Sequence, residues 1–251
     1  MFTKQENEHN KSEQRTDLLP NKYAPFRNVQ LDIWKEGVLV AIGNVFTLSL
    51  IMTIVGAIMF WLNDIDKKAA TSLISYSLLI VFLLLVVRNN IKDYIPKFLN
   101  WMPYVVGVGI GLAIMGFDQI YTSIVNLFYP LSIGGNESGI REIVNRFPIA
   151  SIFIFGLVGP MCEELTYRVG LFNLFKRWKR VWAYIFTGLI FGFIHFDYQG
   201  DIALEFILLP TYIVPGVILS LAYDLYDLPC SFTAHITNNL IVLIALAARA
   251  N

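Results

Sequence analysis

The chain has 251 residues, of which 56% are hydrophobic and 15% charged, and its mean hydropathy is +0.58. Its 19 basic and 19 acidic residues cancel, which removes any general attraction to nucleic acid or to acidic partners. The apolar residues come in long blocks rather than scattered over helical faces, so the chain is read as a membrane protein.

Residues 1–29 are polar and rich in Asn, Gln, Glu and Lys, and they include His9. They read as a mobile cytoplasmic tail, ending by residue 36, rather than a cleaved signal. Uncharged runs then follow at 37–62, 69–87, 98–117, 147–162, 181–196, 206–223 and 228–248. A helix needs roughly 20 residues to span the hydrocarbon, so seven crossings are expected, some borrowing flanking residues. The fold class is an all-α, polytopic membrane helical bundle of seven transmembrane helices. An eighth is left open at 119–136, although Pro130 and Gly134-Gly135 favour an interfacial or re-entrant piece there.

The first two runs contain no ionisable group, and the third carries Gly107, Gly109 and Gly111, a small-residue stripe suited to close helix packing. With the N-terminus inside, the inner segments hold Lys4, Lys11, Arg15, Lys22, Arg27, Lys35, Arg88, Lys92, Lys97, Lys176, Arg177, Lys179 and Arg180. The outer ones hold only Lys67, Lys68, Arg141, Arg146 and Arg249. This asymmetry favours a cytoplasmic N-terminus. The Asn136-Glu137-Ser138 sequon would then lie outside, a short match that occurs often by chance. Cys162 and Cys230 sit in or beside apolar runs and read as small buried hydrophobes, not as a disulfide framework.

Two segments therefore divide the membrane part, 37–146 and 147–251, and the second concentrates the polar groups that a bilayer rejects. It opens with GPMCEELTYR at 159–168, where Glu163, Glu164 and Arg168 follow an uncharged run. If KRWKR at 176–180 is the turn of a hairpin, Glu164 lies 15 residues before Lys179 and His195 lies 16 after it. Both are then about 20–25 Å from the turn and level with one another. Glu164 and Arg168 are spaced i,i+4 for an intrahelical ion pair, which leaves Glu163 as the chemically available carboxylate. His235 and Asn239 share a face of the last run, which starts after Asp227-Leu228-Pro229, and supply directed N–H donors. Taken singly, each histidine is a packing residue and Asn239 a helix-joining amide. Their concentration in one half points to a site.

Other intramembrane chemistries lack their motifs: no H-E-x-x-H, no G-x-S-x-G, and no glycine two residues before Gly200-Asp201 for a Gly-x-Gly-Asp aspartyl site. Asp197 and Asp201 read as loop acids.

Glu163-Glu164-Leu-Thr-Tyr-Arg168, Phe191-Gly-Phe-Ile-His195 and His235-Ile-Thr-Asn-Asn239 resemble, in order and spacing, the EExxxR, FxxxH and HxxxN motifs of the CPBP family. This family of CAAX proteases and bacteriocin-processing proteins, also called Abi, includes the type II CAAX prenyl endopeptidases. The resemblance covers about 147–245. It implies that 147–251 is a catalytic core, with Glu163 activating water, His195 positioning it, and His235 and Asn239 stabilising the oxyanion. Glu164 and Arg168 would support the helix and Phe191 would pack against the site. One departure is visible: the family often has Phe-Arg-Gly where this chain has Tyr167-Arg168-Val169-Gly170, a glycine displaced by one position.

The resemblance implies an intramembrane endopeptidase of a bacterial cell membrane, multi-pass, acting on a membrane-associated peptide or protein, with no nucleic acid partner and no cofactor. Two alternatives stand beside it. One is a non-proteolytic accessory or bacteriocin-immunity protein that binds a peptide or partner enzyme. The other is zinc-dependent hydrolysis, with Glu163, His195 and His235 as ligands. Substrate identity and oligomeric state are not encoded legibly.

Overall fold

The computed structural model describes residues 28–47, 50–132 and 134–249. Most of the expected tail, with His9, Lys4, Lys11, Arg15, Lys22 and Arg27, lies outside them, as does the side chain of Arg249. Among the described residues every regular element is helical. These are α1 (Ile33–Thr47), α2 (Leu50–Ile58), α3 (Asp64–Val87), α4 (Ile91–Phe98), α5 (Met102–Asn126), α6 (Gly135–Arg146), α7 (Pro148–Trp178), α8 (Arg180–Phe193), α9 (Ile202–Leu208) and α10 (Pro210–Arg249).

Four stretches are long and apolar enough to cross a bilayer: Asp64–Phe98, Met102–Asn126, Pro148–Trp178 and Ile202–Ala248. A shorter apolar helix, Arg180–Phe193, joins them, and together they make a multi-pass helical membrane bundle. Among the described residues, length and composition reach four rather than seven for three local reasons, the first being that the run at 181–196 forms only the 14-residue α8. In the run at 37–62 the described residues form α1 and α2, of 15 and 9 residues, on either side of 48–49, and neither alone reaches the length of a crossing. The runs at 206–223 and 228–248 abut as two helical arms with no loop between them, parted by the non-helical Asp227 (φ 66°, ψ −176°), and so count as one stretch. No single helix covers 119–136; α5 ends at Asn126 and α6 starts at Gly135.

Local sequence sets these boundaries. Asn63 caps α3, its side chain accepting from Asp66 N at 2.9 Å, with Asp64 and Asp66 in the first turn where the helix dipole favours acids. Asp201 caps α9 through Ala203 N and Leu204 N, which gives this loop acid a structural task. At Asp227 the backbone adopts a conformation that residues other than glycine rarely hold. Its carboxylate supports the break, accepting from Leu228 N at 2.7 Å and facing Lys97 Nζ at 3.4 Å.

The hairpin forms at the basic knot: α7 ends at Trp178, Lys179 is extended, and α8 begins at Arg180. Phe172 meets Tyr184 and Phe175 meets Phe186 across it, with ring centroids 5.2 and 5.0 Å apart. The charges sort to the two ends of α3. At one end Lys176 and Arg180 converge on Asp224, Arg177 binds Glu36, and Lys35 donates to Asn90. At the other, Lys68 meets Glu142 and Arg146 meets Asp66.

Helix α5 packs along the second arm of α10 (228–249) through two of its three stripe glycines. A Cβ at Gly107 would come within 2.7 Å of Cys230 O, and one at Gly111 within 2.6 Å of Ala234 O, whereas Gly109 faces open space. Gly111→Val is therefore expected to push the arm away beside His235 and to cost about 1–3 kcal/mol by overpacking. Gly109→Ala is expected to be neutral; thermal unfolding in detergent compares the two.

Candidate active site

The site lies where α7, α8 and the second arm of α10 meet. Helix α7 is wound as a π-helix over Ile154–Val158 and again over Glu164–Phe172, and all nine residues of the second segment are buried. Such wide turns mark functional sites more often than ordinary helix does. A π-turn takes one residue more than an α-turn, and Gly170 lies within the second of these segments. That glycine packs on α1, where a Cβ would lie 3.2 Å from Glu36 O.

Glu164 and Arg168 are fully buried and face one another at 3.4 Å. The Arg168 guanidinium also lies over the Phe191 ring, 4.5 Å from its centroid, which fixes the charged head on an aromatic face. This contact makes 168 and 191 level across the hairpin. One helical turn further from the knot come Glu164 on one limb and His195 on the other.

His235 stands between the two glutamates. Its Nδ1 is 2.9 Å from Glu164 Oε1, and its Nε2 is 3.6 Å from Glu163 Oε2. The expected division of duties between the acids is therefore incomplete: Glu164 holds Arg168 and also orients the His235 ring. With the Nδ1 proton donated to Glu164, Nε2 of a neutral ring is an acceptor, and it donates only when it too carries a proton. Phe191 packs edge-on against His235 at 5.9 Å.

His195 is held differently. Its Nδ1 lies 2.8 Å from Phe191 O, and because a carbonyl only accepts, the proton sits on Nδ1 and leaves Nε2 as the acceptor. The ring stacks on Tyr212, with centroids 4.7 Å apart and planes 10° from parallel. Asn239 donates one amide hydrogen to Phe155 O at 3.1 Å, and its Oδ1 accepts from Asn238 at 3.3 Å. These two bonds fix the orientation of the amide.

Glu163, His195, His235 and Asn239 all line one cavity of about 930 Å³. Glu163 Oε2 is buried and has no hydrogen-bond partner within the protein. The arrangement offers a carboxylate, a ring nitrogen that accepts and an oriented amide around a space large enough for a peptide segment. Among the described residues no group of three or more His, Cys, Asp or Glu side chains is placed to hold a metal ion, so Glu163, His195 and His235 do not assemble as ligands. Cys162 and Cys230 are both buried and free.

Sequence reasoning did not find Tyr212, the carbonyl of Phe155 or Glu205. The buried Glu205 accepts from Gly135 N at 2.9 Å and from Asp197 N at 3.2 Å, tying the loop after His195 to the start of α6. It stood just before an apolar run, without a motif, and its partners are backbone amides, which leave no pattern in sequence. Glu205→Ala is expected to cost about 1–3 kcal/mol by orphaning both amides, read as a lowered Tm.

A membrane helical bundle with a buried Glu-Glu-Arg cluster joined to two histidines and an asparagine defines the class, and comparison with known proteins supplies the family. Residues 145–241 match the family described as type II CAAX prenyl endopeptidase Rce1-like. The membrane-embedded CAAX protease MroQ of Staphylococcus aureus (strain USA300) is 32% identical over 125 residues, 44% of this chain and 47% of that protein. YdiL of Bacillus subtilis (strain 168), named for an inferred membrane-peptidase role, is 28% identical over 145 residues, 54% of this chain and 57% of its own. The UPF0177 protein YvdC of Lactococcus lactis subsp. lactis (strain IL1403) is 25% identical over 134 residues, half of each chain. No solved structure matches. The chain spans about half the length of the curated relatives it matches. Over residues 145–241, less than half of its length, the chain is similar to the CPBP family.

Proposed function

We propose that this protein is a glutamate-dependent intramembrane endopeptidase acting on a membrane-associated peptide or protein. The observation that carries it is Glu163 Oε2, buried without a hydrogen-bond partner on the wall of a cavity that His195, His235 and Asn239 also line. In this reaction Glu163 takes a proton from water, aided by the acceptor Nε2 of His195, and the hydroxide attacks the peptide carbonyl. The second amide hydrogen of Asn239 and a protonated His235 Nε2 stabilise the oxyanion. Glu163 then returns its proton to the departing amine as the C–N bond breaks. Glu164 orients His235, Arg168 neutralises Glu164, and Phe191 seats both. No step is assigned to a metal, since the residues do not converge as a ligand set.

The same proposal has seven crossings, with α1 and α2 counted as one and α10 as two, an N-terminal part at 37–146 and a catalytic core at 147–251. It places the N-terminus and the basic knot on the cytoplasmic side of a bacterial membrane. The named protease and peptidase relatives support the proteolytic reading.

One observation favours a non-proteolytic partner instead. The Asn239 amide and the His235 ring already have protein partners, Phe155 O and Glu164, as a purely structural network would. Comparing membrane proteomes from cells with native protein and with Glu163→Gln separates the two. Substrates that accumulate uncut with Glu163→Gln support proteolysis. Identical proteomes, with any cellular phenotype retained by Glu163→Gln and His195→Ala, support the partner role.

A further inference from the structure

Asp118 on α5 belongs to none of the three motifs, yet it lines the same cavity as Glu163, His195, His235 and Asn239. Its Oδ1 is buried and has no hydrogen-bond partner. The charged groups outside the motifs that line the same cavity are engaged elsewhere: Lys67 with Asp64 at 3.6 Å, Lys68 with Glu142 at 3.0 Å, and Glu137 with Arg141 at 2.6 Å. Asp118 has no ion-pair partner among the described residues. A carboxylate left without a cation inside an apolar bundle is costly, and such residues mark binding sites by default.

Its distance from the chemistry follows from helix register. Gly107 abuts Cys230 and Thr233 while Gly111 abuts Ala234 and Thr237, so α5 and the second arm of α10 run parallel. Gly111 is therefore level with His235. Asp118 is seven residues on, two turns along the same face, and about 10 Å further from the basic end. An extended peptide advances about 3.3 Å per residue, so this offset is about three substrate residues.

We propose that Asp118 is a substrate-binding residue whose carboxylate receives a cationic side chain, Lys or Arg, about three residues from the bond held at Glu163. The cation supplies the partner that the fold withholds, and the rest of the cavity accepts an apolar peptide. The inference rests on the proteolytic reading only for the position of the scissile bond.

The probe is a set of fluorescent, leucine-rich peptides in detergent micelles, each with one lysine or one norleucine at a scanned position. Binding is read by anisotropy on Glu163→Gln protein, which leaves the peptide intact, and on the same protein carrying Asp118→Asn or Asp118→Glu. Lysine peptides are expected to bind about tenfold tighter than norleucine peptides at one register, with the preference lost in Asp118→Asn and kept in Asp118→Glu. Absence of the preference, or its survival in Asp118→Asn, overturns the proposal. Mass-spectrometric mapping of cuts by the native protein answers separately. A lysine preference without cleavage removes the protease and leaves the subsite; Glu163-dependent cleavage without the preference removes only the subsite.

Discussion

Glu163→Gln is expected to lower the rate of peptide cleavage by about 10²–10⁴-fold, the range contributed by a positioned general base, while the protein accumulates normally. Glutamine keeps the shape and the polar contact with His235 but cannot take a proton from water. Accumulation should hold because Glu163 stands outside the pair that stabilises the helix. Arg168 faces Glu164 at 3.4 Å, and Glu163 contributes no hydrogen bond through its buried Oε2. The measurement is turnover of a membrane peptide by purified native and variant protein, with Tm recorded in the same detergent. A variant that keeps the native rate would remove Glu163 from the chemistry and return the polar set to a structural role.

Arg168→Met is expected to have the largest effect on stability, about 3–5 kcal/mol, because it strands a buried carboxylate. Glu164 is entirely enclosed, so without Arg168 its charge is left with the His235 ring and the Ser231 hydroxyl for compensation. The substitution also removes the cation from the face of Phe191, which packs on both histidines. Arg168→Lys restores charge without the planar fork that lies on the ring, and is expected to recover only part of the loss. The double variant Glu164→Gln/Arg168→Met, which leaves no buried charge, is expected to be more stable than Arg168→Met alone. Unfolding of the native, Glu164→Gln, Arg168→Met and double-variant proteins in one detergent forms the cycle, and strict additivity would show that the pair is not coupled.

These two expectations rest on different layers of information. The motif spacing placed Glu164 with Arg168 and placed Glu163 apart from them, and the structure has the pair at 3.4 Å. Symmetry about the knot put α7 and α8 in register, and the Arg168–Phe191 contact has them so. The second bond of Glu164, to His235, was not legible because it joins residues 71 apart on two helices whose mutual rotation no local pattern specifies. The stripe glycines were only partly legible for the same reason. Gly107 and Gly111 face the neighbouring helix, and Gly109 points away because its position falls on the other side of α5.

By itself the sequence determined that this is a helical membrane protein, where its basic turn falls, and which acids, histidines and amide form a set. Hydrophobic blocks, charge bias and i,i+4 spacing are local properties, written along the chain. Tertiary structure alone decided that His235 bridges two glutamates, that Phe191 O fixes the proton on His195, and that α7 is wound as a π-helix around Glu164–Phe172. It also decided that the two arms of α10 meet at a sharp break at Asp227, and that Asp118 shares the cavity of Glu163. Each of these depends on how distant helices rotate and close upon one another. That rotation is set by packing across the whole bundle, which no segment of the sequence carries alone.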